Sequence, residues 1–92
     1  MRVSTSLSST YLVDDVRVGA DRMLERARAA HDAGLEGLYV GDHHATPVPY
    51  YQNSPILGRI AADWPDRRFG ALYLLPLWHP LVVAEQVGTL AA

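Results

Sequence analysis

Four consecutive residues, Gly41-Asp42-His43-His44, place one acid and two imidazoles directly after the apolar run Leu38-Tyr39-Val40. An imidazole has an unperturbed pKa of about 6.5, so it can take up or release a proton near neutral pH. Asp42 can fix the tautomer of a neighbouring imidazole or cap the loop that follows. Neighbouring residues of an extended strand point to opposite faces. His43 and His44 are therefore expected to diverge, His43 toward the inner side of the strand ends and His44 away from it. A plainer use of all three is open at this point, since polar residues at strand ends often satisfy the backbone of the next loop. Tyr50, Tyr51, Tyr73 and Trp78 fall near predicted strand ends and can line the pocket of a planar ligand or pack beneath a proline-rich loop.

Other chemistries find little support. The chain has four histidines and seven aspartates, but no H-x-H or H-E-x-x-H spacing, and adjacent strand histidines do not converge on one ion. No metal site is expected. His31 reads as a packed, hydrogen-bonded side chain and His79, before Pro80, as a helix cap. Cysteine is absent, which removes thiol nucleophiles and disulfides. There is no G-x-G-x-x-G, Walker or G-x-S-x-G sequence. Eight arginines, no lysine and ten acids leave a net charge of -2, unsuited to a nucleic-acid face. The chain has no apolar run near the roughly 18 residues of a membrane span and no signal-like apolar stretch, so a cytoplasmic protein is expected.

The elements that must hold these residues are readable from periodicity. Residues 2–8 alternate Val3, Thr5 and Leu7 with serines, as a polar strand does. Asp14 or Asp15 can cap a helix over 18–33, whose inner face carries Ala20, Met23, Leu24, Ala27, Ala30 and His31. On its outer face Arg28 is spaced for pairing with Glu25 and Asp32. Gly34 suits the left-handed end of that helix. Residues 37–43 predict a buried strand, and Ser54-Pro55 a Ser-capped helix over 54–63. Residues 69–75 predict a third strand, and 80–92 a third helix that runs on to Ala92 without a cap. Strand and helix alternating three times predict an α/β fold with a parallel sheet and right-handed crossovers. The sites of such folds lie at the C-terminal ends of the strands.

Three stretches, GLEGLYVGDHHATPVPYYQNSP, RFGALYLLPLWHP and LVVAEQVGTLAA, resemble in order and spacing the bacterial luciferase-like monooxygenases. The likeness covers most of the chain after Ala20; the first strand is less apolar than the family's. This resemblance implies a TIM (β/α) barrel, of which residues 1–92 would form the first three strand–helix units of an incomplete N-terminal portion. It implies reduced FMN, or a reduced deazaflavin coenzyme, and oxidation of a small organic substrate with a flavin reductase supplying electrons. By the same resemblance His43 is the catalytic proton donor or acceptor, and Asp42 holds the family's acidic position beside the cofactor. Ala71, Leu72 and Tyr73 match the third-strand bulge that supports the flavin ring, often through a non-prolyl cis peptide. His44, Tyr50 and Tyr51 would face substrate, and a homo-oligomer is expected. Two other classes stand against this reading: a non-catalytic remnant that pairs with another subunit, and a metal-dependent barrel hydrolase using Asp42 and His44.

Overall fold

The computed structural model describes all 92 residues. Strand β1 spans Ser4–Leu7, helix α1 Val16–Asp32, β2 Gly37–Val40, α2 Asn53–Ala61, β3 Arg68–Ala71 and α3 Pro80–Ala91, with a short 3-10 turn at Leu75–Leu77. The three strands form one parallel sheet in the order β1-β2-β3. Gly37 lies between Ser4 and Arg68, and Val40 between Leu7 and Ala71.

The two-residue alternation of the strands decides which face is covered. Leu38 and Val40 are buried under the helices, with Leu7, Phe69 and Ala71 of the flanking strands packed against the same cluster. Met23, Leu24 and Ala27 of α1 and Ile56, Leu57 and Ile60 of α2 complete this core. Trp64, 1% exposed, closes it at the lower end, its indole N–H donating to the Ala27 carbonyl at 3.1 Å. The opposite face carries Ser4, Ser6 and Tyr39, all exposed. The Tyr39 ring lies across Gly70: a Cβ there would sit 3.0 Å from it.

The helices follow their sequence signals with instructive exceptions. Asp15 caps α1 by accepting from the Arg17 amide at 2.9 Å, and Gly34 leaves it at φ +83°. Arg28 pairs with neither Glu25 nor Asp32; it reaches Asp63, beyond the end of α2, at 2.9 Å. Ser54 is not the cap of α2, because the helix begins at Asn53 with Gln52 before it. The Asn53 side chain is buried, accepting from the Ser54 amide at 2.7 Å and donating to the Leu72 carbonyl at 2.9 Å. Pro55 is still tolerated, since amides of a first helical turn have no intrahelical acceptor. His79 caps α3 as expected, its Nδ1 accepting from the Leu81 amide at 3.2 Å. No helix is long and apolar enough to cross a membrane.

Candidate active site

Strands β2 and β3 end at Val40 and Ala71, short of the expected 37–43 and 69–75, and one side chain explains why. The Leu72 amide still donates to Val40 O at 3.0 Å, as in the ladder. Two residues later the Leu74 amide turns to the Asp42 carboxylate, donating to Oδ2 at 2.8 Å. A carboxylate has replaced a strand carbonyl, so regular pairing stops. Gly41 to His44 consequently stand in the loop beyond β2 rather than in the strand.

Asp42 lies below the loop surface with 0% of its side chain exposed. Its Oδ2 accepts a second hydrogen bond from the Trp78 indole N–H at 2.7 Å. Its Oδ1 has no well-aligned donor, and His44 Nε2 stands 2.7 Å from it as an ion-pair contact. Burial pushes this carboxyl upward, but the Leu74 amide, the Trp78 indole and His44 together outweigh it and hold the group below the usual carboxylate range. With no exposed face, Asp42 reaches a ligand only through its partners.

The two histidines diverge. His44 packs edge-on to Trp78, ring centroids 5.7 Å apart, and Trp78 in turn meets Tyr73 at 5.1 Å. His43 is exposed and meets the edge of Tyr50 at 5.3 Å. Its carbonyl accepts from Gln52 Nε2 at 3.1 Å. The Tyr50 hydroxyl lies 2.8 Å from where a Cβ of residue 41 would stand, so glycine there admits the ring. The structure thus forms two clusters at the strand ends: His43 with Tyr50, and Asp42 with His44, Trp78 and Tyr73.

Other expected site residues are distributed differently. Tyr51 is turned away from His43; its hydroxyl donates to Val16 O at the start of α1, and its ring faces Tyr11. Tyr73 directs its hydroxyl to Ser54 Oγ at 2.8 Å, and Ser54 also donates to Gln86 of α3. Ala71 is half-buried, and Leu72 is 55% exposed at the end of β3. Every peptide bond is trans, so the cis linkage expected near Ala71 to Tyr73 is not present. The segment keeps ladder geometry at Leu72 and is held from both sides by Asn53 and Asp42. Asn53, Leu74 and Gln86 belong to no motif; the one sequence signal is an asparagine directly before Ser54-Pro55.

For a flavin, exposed Leu72 and the exposed His43 imidazole suit a flat, mostly apolar ring with one proton-exchanging neighbour. A phosphate needs converging donors. Arg2, Arg67 and Arg68 instead line a charged hollow with Glu36 and Asp66. Arg17 and Arg59 sit in the groove between α1 and α2, facing Asp15 and Asp21. The residues fit the ring and not the phosphate.

Three parallel strands alternating with helices, with two imidazoles and a buried acid just past the strand ends, define an α/β protein. Within that class, the chain matches the luciferase-like monooxygenase family over residues 1–92 and belongs to that family. No curated protein and no solved structure matches it.

Proposed function

We propose that this chain forms the first strand–helix sector of a cytoplasmic, flavin-dependent oxidoreductase with a (β/α) barrel, acting on a small organic substrate. The supporting observation is the exposed His43, edge-on to Tyr50 in the loop after β2, with Leu72 exposed just past the end of the neighbouring strand β3. A bound reduced flavin would supply electrons, to dioxygen in the FMN form or as hydride in the deazaflavin form. Ala71 and Leu72 provide the surface for the ring, and Tyr73 backs it through Trp78. His43 gives or takes the proton at its imidazole, while Tyr50 fixes the ring's edge and Gln52 its backbone. Asp42 holds the Leu74–Trp78 segment in place. His44 and Tyr50 border the substrate, and Tyr51 anchors their loop to α1. Phosphate donors come from strands that pair with the free edge of β3 and cover the Tyr39 face. A flavin reductase and a second copy of the chain are the partners this reading calls for.

The test is turnover of reduced flavin by the native protein, with absorbance and oxygen uptake followed together. His43→Ala is expected to lower turnover by about 10²-fold, the usual scale of a lost acid–base group. Oxygen uptake identifies the FMN form, and its absence with continued oxidation the deazaflavin form. Unchanged turnover in His43→Ala would remove this histidine from the chemistry.

A further inference from the structure

We infer that Asp42 and His44 form a second proton-transfer pair at the strand ends, with Asp42 as the positioning residue and the Nδ1 atom of His44 presented to the ligand. The inference rests on the reading above in one respect, that the ligand lies at the strand ends.

Three observations carry it. The Asp42 side chain is wholly buried, and its Oδ2 is saturated by two fixed donors, the Leu74 amide and the Trp78 indole. Its Oδ1 is buried with no aligned hydrogen-bond donor, and His44 Nε2 stands 2.7 Å from it as an ion-pair contact. The imidazole itself keeps a third of its surface exposed, with its position set edge-on against Trp78.

An ionised carboxylate can only accept, so the nitrogen that faces it must carry the proton. Nε2 is therefore the protonated atom of the neutral ring. Nδ1 holds the lone pair and is the atom left to exchange a proton with a ligand. This is the arrangement of a base oriented by an acid, here joined within three residues of one loop. The step balances simply. A ligand X–H gives its proton to Nδ1, X keeps the electron pair, and the imidazolium formed is neutralised by Asp42. The reverse step returns the proton.

A tie between β2 and the Leu74–Trp78 segment needs only an acceptor, which asparagine also supplies. Proton transfer needs the carboxylate. In Asp42→Asn the amide oxygen can still accept from Leu74 and Trp78, while the NH2 group faces Nε2. That forces Nε2 to accept and moves the proton to Nδ1.

The ring nitrogens of His44 are read by NMR on the 15N-labelled chain at pH 8. The expected result is Nε2–H in the wild type and Nδ1–H in Asp42→Asn. Nδ1–H in the wild type, or the same tautomer in both, overturns the pair. If Asp42→Asn does not fold, the wild-type tautomer decides alone. In turnover, His44→Gln is expected to lower kcat by about 10²-fold while KM changes less than about twofold. An unchanged kcat overturns the catalytic role. A wild type with no flavin-dependent turnover defeats the flavin reading instead, and the tautomer still judges the pair.

Discussion

At the level of single residues, Asp42 does what a motif cannot show. Its position after an apolar strand was readable; its inward turn was not, because its partners Leu74 and Trp78 lie 32 and 36 residues further along. Its electrostatics make a prediction. The folded-state pKa lies below the ordinary value of about 3.9, so its stabilising contribution is complete above about pH 4. It is lost as pH falls through the folded-state value. The urea midpoint should therefore drop between about pH 4 and pH 2, and drop less steeply in Asp42→Asn. Asp15, held low by Arg17, and Asp66, held low by His31, give both proteins a common background. Equal slopes would show that Asp42 does not carry the effect. The divergence of His43 and His44 was legible from strand alternation, although both stand just beyond the strand. Tyr50 and Tyr51 were not separable by sequence, since their directions depend on how the loop meets Thr10 and Val16.

At the level of elements, period and punctuation placed all three strands and all three long helices. Helical spacing named the inner face of α1, because burial of Ala20, Met23, Leu24 and Ala27 follows from the 3.6-residue turn alone. What spacing could not give was long-range choice. Arg28 had two local acids and took Asp63, where a short contact joins α1 to the end of α2. Ser54 had the form of a cap and became the partner of Tyr73 and Gln86, because Asn53 takes the first turn of α2. The contact between α1 and the loop before α2 also rests on a small residue. A Cβ at Gly19 would collide with the Tyr51 hydroxyl, which donates to Val16 O. Helix propensity alone favours Gly19→Ala by about 1 kcal/mol. We expect the variant to be destabilised by about 1–3 kcal/mol instead, the scale of overpacking. A raised thermal midpoint would show that Tyr51 moves aside freely.

For the molecule as a whole, the covered and uncovered sides of the sheet differ sharply. The helices bury one face, while Tyr39 on the other is 46% exposed and the outer edges of β1 and β3 are unpaired. Leu75, Leu77 and Leu81 each expose more than half their surface. Such an apolar patch marks a surface made to be covered. On the proposed flavin reading, without convergent phosphate donors, the 92-residue chain should bind FMN no tighter than about millimolar. Quenching of flavin fluorescence in a titration of monomeric chain checks this, and micromolar affinity would overturn the placement of the phosphate site. The parallel, three-unit architecture was legible in sequence because alternation of strand and helix leaves few topologies. The lower seam of the molecule has a kinetic consequence. Arg28 to Asp63, His31 to Asp66, Trp64 to Ala27 and Arg67 to the His31 carbonyl span 35, 35, 37 and 36 residues. One loop closure therefore makes all four, and its entropy is lost once rather than four times. Residues of this seam should share one clock: Trp64→Phe and Arg67→Ala should show equal fractional effects on the folding rate in stopped-flow refolding. A value near one for either and near zero for the other would mean that the seam closes in stages, so that a half-zipped chain waits, with its ends joined on one side only, before the sheet is complete.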